Sequence, residues 1–145
     1  MKLHGLADNN AERIKRAARF LKQVGLSGDA LDKYPYQFSG GERQRIAIAR
    51  CLTVEPEIII FDECVSALDA TVQVQVLDLL RELQRELGLS YLFISHDLAV
   101  IRFIADRVLV FRQGEIVESG LVSEVFAAPR HPYTKQLLFA APHIT

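Results

Sequence analysis

Apolar residues recur at helical spacing near the start of the chain. Ile14, Ala17, Ala18, Leu21 and Val24 share one side of a segment that Asn9 or Asn10 can cap and Gly25 can stop, which predicts a helix over Ala11–Val24. Its other side carries Arg13, Lys15, Arg16 and Arg19, a pattern that fits a solvated surface. Residues 1–8 read as a loop, and a short helix around Asp29–Tyr34 ends at Pro35. From Gly41 to Thr53 the helical period returns, with Ile46, Ile48, Ala49 and Leu52 inward and Arg43, Gln44, Arg45 and Arg50 outward. Glu55-Pro56 breaks that helix. Ile58-Ile59-Ile60-Phe61 does not alternate, which predicts a strand buried on both faces. Thr71–Leu87 is a long helix with Val72, Val76, Leu79, Leu80 and Leu83 inward, closed by Gly88, and Ser90–Ile94 is a second buried strand. A helix over Leu98–Ala105 precedes a strand–turn–strand, Arg107–Arg112 and Glu115–Ser119, around Gln113-Gly114. Short helices at Leu121–Ala127 and Thr134–Ala140 follow, separated by Pro129 and Pro132. Helices alternating with non-alternating strands imply an α/β fold with a parallel sheet.

Composition narrows the class. With 145 residues, half of them hydrophobic, there is apolar material for one compact core. A formal charge of −1 gives no electrostatic footprint for nucleic acid or an anionic membrane. Cys51 and Cys64 are far apart in sequence and neither has a His or second Cys at metal-ligand spacing. Two isolated cysteines, no apolar leader in MKLHGLADNN and no run near the ~18 apolar residues of a transmembrane helix fit a reduced, cytosolic protein.

Four short stretches carry candidate chemistry. In Phe38–Leu52, FSGGERQRIAIARCL, Ser39 and Glu42 have the form of a capping box, while Gly40 and Gly41 leave backbone amides bare at the positive end of a helix. That stretch serves equally as a capped core helix or as a phosphate site. In Ile58–Glu63, IIIFDE, two carboxylates sit at the carboxyl end of a strand, where open α/β sheets place ligands. Asp62 suits a Mg²⁺ contact and Glu63 suits polarising a water, although solvated acids at a strand end are common. Ser66-Ala67-Leu68-Asp69 is a tight turn into the next helix, for which an N-cap aspartate is the simplest account. Ser95-His96-Asp97 follows the second strand and would bring His96 to the same sheet edge as Asp62 and Glu63.

In this order and spacing, FSGGE, IIIFDE, SALD and SHD resemble the signature motif, Walker B strand, D-loop and H-loop of the ATP-binding-cassette (ABC) family, from about Ala11 onward. Glu42 stands where that family usually has glutamine, and Cys64-Val65 where it usually has Pro-Thr; neither change removes a group the phosphate chemistry needs. The resemblance implies a P-loop-type nucleotide-binding domain with ATP and Mg²⁺ as ligands. Ser39, Gly40 and Gly41, with Glu42 beside them, would meet the γ-phosphate of ATP bound on an opposing subunit. Asp62 would serve the Mg²⁺ site, Glu63 would be the general base, Asp69 would cross the dimer interface, and His96 would sense the γ-phosphate. His131–Leu138, HPYTKQLL, is similar to a segment near the C-terminus of dipeptide and oligopeptide importer ATPases.

None of the eight glycines is followed by Lys, so the sequence has no GxxxxGK[ST] phosphate loop. The resemblance therefore implies the C-terminal part of the domain: a helical, signature-bearing portion at about 9–54 and a Walker B to C-terminal portion at about 55–145. By family analogy the phosphate-loop strand would lie between Ser90–Ile94 and Arg107–Arg112, so unpaired strand edges and bare apolar surface are expected. The leading reading is part of a peptide-importer ATPase, catalytic within a complete domain and inactive alone. Its partners would be a second ABC ATPase subunit, transmembrane permease subunits and, indirectly, a solute-binding protein. It would sit in the cytoplasm, peripheral on the inner face of the cell membrane. A non-catalytic module lending its signature motif to a complete partner ATPase, or an inactive fragment, is the alternative. A DNA-repair or chromosome cassette fits less well, given the charge balance, the importer-like tail and the lack of a coiled-coil or zinc insertion.

Overall fold

The computed structural model describes residues 9–141. The loop expected over residues 1–8 lies outside them. Two compact units divide the chain, the first ending at Leu92 and the second beginning at Phe93.

In the first unit, α1 (Asn10–Gln23) begins at Asn9, whose side chain accepts from the Glu12 amide at 2.8 Å. Phe20, Leu21 and Val24 are buried, but Ile14 is 52% exposed, so the apolar stripe runs beyond the packed part of the helix. The basic face is not uniformly solvated: Arg16 pairs with Glu55 at 2.6 Å. Instead of one short helix ended by Pro35 there are two 3₁₀ turns, Gly28–Asp32 and Pro35–Gln37. Pro35 opens the second turn because its fixed φ suits a first helical position, where no amide is needed. The Tyr34 amide is satisfied by Gln37 Oε1 at 2.8 Å. Then α2 (Gly40–Leu52) buries Ile48, Ala49 and Leu52.

Strand β1 (Ile58–Asp62) leads through a turn to α3 (Ala70–Leu87), which ends at Gly88 in the left-handed conformation, φ +65°. Strand β2 (Ser90–Ile94) pairs with β1 in a partial parallel sheet, the 18-residue helix serving as the crossover. Contrary to the expected double burial, β1 alternates: Ile59 and Phe61 are about 5% exposed, Ile58 and Ile60 63% and 64%. α3 covers one face, where Tyr91 donates to the Leu80 carbonyl at 3.0 Å and meets Phe61 edge-on at 5.0 Å. The other face, continued by Leu92 on β2, has no described layer over it, so the apolar run encodes a layer that these residues do not supply.

In the second unit, Asp97 caps α4 (Leu98–Ile104), accepting from the Ala99 and Val100 amides at 2.8 and 3.3 Å. β3 (Arg107–Arg112) and β4 (Glu115–Leu121) form an antiparallel hairpin with an irregularity between Val110 and Phe111. Gln113 and Gly114 both take positive φ, 52° and 84°, the geometry of the two-residue turn that matches strand twist. α5 (Val122–Ala127) follows directly, and α6 (Pro132–Ala140) starts at His131, whose Nδ1 accepts from the Tyr133 amide at 3.1 Å.

Candidate functional site

The capping box foreseen at Ser39 is present. The Glu42 amide donates to Ser39 Oγ at 3.2 Å and the Ser39 amide donates to Glu42 Oε2 at 2.8 Å. Bonding from the Ser39 amide, then from its hydroxyl, holds the Glu42 carboxyl below the usual carboxylate range. Glu42 is thereby committed to the cap. Of the first-turn amides, those of Gly40 and Gly41 have no acceptor within the helix itself.

The two glycines differ. Gly40 is exposed, whereas Gly41 is buried against α3, where a Cβ would collide with Val72 Cγ1. A Cβ at Gly40 would stand 3.4 Å from Leu68 Cδ2. Bare amides are thus one use of this pair, and close helix approach is the other. Through these contacts the signature cap adjoins the turn Leu68-Asp69. Asp69 caps α3 as the sequence suggests, accepting from the Val72 amide at 3.0 Å. Ser39–Glu42 and Asp69 therefore belong to one place, two helix N-termini side by side.

Asp62 is the exposed last residue of β1. Glu63 follows in the left-handed region at φ +47°, a conformation that costs a non-glycine residue of order 1–3 kcal/mol. The turn after it fixes that geometry: the Glu63 carbonyl accepts from Ser66 Oγ at 2.9 Å and from the Ser66 amide at 3.2 Å. Val65, 2% exposed, anchors the loop in the core. Burial pushes the Cys64 thiol up to about 11, which keeps it protonated and unreactive. Two exposed acidic residues thus follow one another, Asp62 at the strand end and Glu63 on a strained turn anchored by Val65.

His96 is exposed in the second unit, where Ser95 Oγ accepts from the Asp97 amide at 3.0 Å beside it. Among the described residues no group of three or more His, Cys, Asp or Glu side chains can hold a metal ion. Asp62, with Glu63 next in sequence, offers the carboxylate chemistry that Mg²⁺ arriving with phosphate oxygens would use, one or two protein carboxylates rather than a full cage. No helix among the described residues is long and apolar enough to cross a membrane.

Sequence reasoning missed Glu118. Its carboxylate accepts from the Arg130 and His131 amides at 2.8 and 3.0 Å, tying β4 to the start of α6. The buried Thr134 hydroxyl, close by though outside hydrogen-bond geometry, contributes most to holding that carboxyl low, ahead of the Arg130 amide. A glutamate facing a segment twelve residues on leaves no periodic signal.

Two helix caps thus lie side by side in the unit whose strand β1 ends in two acids. A family model described as ABC transporter matches residues 3–66. A putative peptide import ATP-binding protein of Brucella ovis is 54% identical over 132 residues, 91% of this chain and 42% of that protein. The oligopeptide transport ATP-binding protein OppF of Bacillus subtilis is 50% identical over 140 residues, 97% of this chain and 46% of that protein. Among solved structures, the post-hydrolysis dimer of the ATP-binding cassette MJ0796 bound to ADP and Pi matches with a TM-score of 0.67 at 35% identity, covering 80% of this chain and 50% of that one. The chain is thus similar to ABC transporter ATP-binding proteins, over residues 3–66 by the family model and over more than nine-tenths of its length by these curated relatives. It spans less than half the length of these two curated relatives.

Proposed function

We propose that this chain forms the C-terminal portion of an ATP-hydrolysing subunit that powers peptide import. The observation that carries the reading is Glu63, held at φ +47° directly after Asp62 at the carboxyl end of β1. A carboxylate on a strained but anchored turn is preorganised, so it can take a proton from an attacking water without first reorganising. The identities of 50–54% to peptide import proteins over more than nine-tenths of the chain supply the transported class.

In this reading Asp62 holds Mg²⁺, which when bound would neutralise charge on the terminal phosphates. The bare N-terminus of α2, with Ser39 Oγ and the amides of Gly40 and Gly41, receives the γ-phosphate of ATP carried by an opposing subunit. Asp69, adjoining it, reaches across the same interface, and His96 contacts the γ-phosphate. Support for an opposing subunit comes from the solved relative, a dimer holding ADP and Pi. Transmembrane permease subunits would dock the pair to the inner face of the membrane, with a solute-binding protein acting through them.

The test is nucleotide-driven association within a complex that contains this chain. Ser39→Arg places bulk and charge where the opposing phosphate must sit, so ATP should no longer drive the subunits together, as read by sedimentation. Unchanged ATP-driven association would remove Ser39 from the phosphate site.

A further inference from the structure

The turn from Glu63 to Asp69 joins the end of β1 to the start of α3. Glu63 stands first in it, at a φ of +47° that few residues other than glycine adopt. Its carbonyl is held twice by one residue, Ser66, whose hydroxyl donates at 2.9 Å and whose amide donates at 3.2 Å. The hydroxyl makes the shorter contact. Any residue but proline can supply a turn amide, whereas a hydroxyl reaching back three residues needs serine or threonine. Ser66 is exposed, so removing its hydroxyl opens no cavity in the core. What the hydroxyl holds is the backbone of Glu63.

The remainder of the turn ties that hold into the fold. The Leu68 amide donates to the Val65 carbonyl at 3.2 Å, Val65 is buried, and Asp69 caps α3. Ser66 is thus fixed on both sides, and Glu63 is fixed to Ser66 through its carbonyl. The dihedrals at residue 63 aim its carboxylate. If φ relaxed to a negative value, the Cβ would point elsewhere and the carboxylate would leave its place. A misplacement of about 1 Å at a reacting group costs on the order of 10²-fold in rate. We propose that Ser66 is a positioning residue for ATP hydrolysis, its hydroxyl keeping Glu63 in the left-handed conformation. From there the carboxylate takes the proton of a water whose oxygen bonds to the γ-phosphorus as the bond to ADP breaks. The inference rests on the reading of Glu63 as the base, and Ser66 acts through the Glu63 carbonyl alone.

The test compares Ser66→Ala, Ser66→Thr and Glu63→Gln in a complex that contains this chain, with melting curves to check that each variant folds. Ser66→Ala should lower kcat at least about tenfold while KM for ATP and ATP-driven association stay within about twofold. Ser66→Thr keeps the hydroxyl and should bring kcat back to within about threefold of the unaltered chain. In the Glu63→Gln background, Ser66→Ala should change the residual turnover by less than about twofold, because the group it positions is gone. A readout without nucleotide is amide hydrogen exchange in the intact chain. Exchange across residues 64–68 should quicken relative to α3 with Ser66→Ala and recover with Ser66→Thr. If Glu63→Gln stops turnover but Ser66→Ala does not slow it, this inference fails alone. It fails equally if threonine rescues no better than alanine, if the losses from the two sites multiply in full, or if exchange is unchanged. Turnover that survives Glu63→Gln would overturn the reading of Glu63 as the base and this inference with it.

Discussion

At the scale of single residues, one side chain often serves structure and chemistry together. Ser39 closes a capping box, so Ser39→Ala should cost about 1 kcal/mol of stability, measured by denaturant unfolding. Glu42 adds a pH dependence whose sign follows from its lowered carboxyl. Its stabilisation is present above the ordinary value of 4.5 and is lost as pH falls from there through the lower folded value. Glu42→Gln should therefore flatten the loss of stability on acidification in that window, and an unchanged acid limb would contradict the cap. Gly41 is set by packing: Gly41→Ala should cost about 1–3 kcal/mol through overpacking against Val72, with part of the loss recovered in the Val72→Ala background. Additive effects of the two changes would mean that they are not in contact.

At the scale of elements, periodicity specified helices well and strand burial less well. α1, α2 and α3 fall within a residue or two of their expected bounds because their caps, Asn9, Ser39 and Asp69, and stops, Gly25 and Gly88, are local signals. β1 was misread for a physical reason. Ile58-Ile59-Ile60-Phe61 is apolar on both faces, yet the described residues cover one. Ile60→Lys should therefore leave stability within about 0.5 kcal/mol, whereas Ile59→Lys, which buries a charge without a partner, should unfold the unit. Equal effects in thermal melts would show that both faces are packed. The tail was legible as a short helix, expected from Thr134 and found from Pro132, but its tether was not, since Glu118 reaches it by tertiary contact. Glu118→Gln should speed hydrogen exchange at the Arg130 and His131 amides relative to those of α4.

At the scale of the whole molecule, the candidate site was legible as motifs, while their shared place was not. No periodicity announces that Gly40 and Gly41 seat the α2 cap against Leu68 and Val72, because that is a tertiary contact. The left-handed Glu63 was likewise invisible, glutamate having no preference for that conformation. What joins the scales is the exposed apolar face of β1 and β2 in a chain that spans less than half the length of its curated relatives. Such a face favours association, so the separate chain should self-associate at high concentration. A monomeric preparation with a cooperative melt would count against that expectation.

The most direct test of the central claim is phosphate release from ATP by a complex that contains this chain, compared with the same complex carrying Glu63→Gln. Loss of the base with retention of shape should slow turnover by about 10²–10⁴-fold while ATP still drives association of the subunits. Turnover that survives the substitution would mean that Glu63 is not the base, and that the acidic pair at the end of β1 has another use.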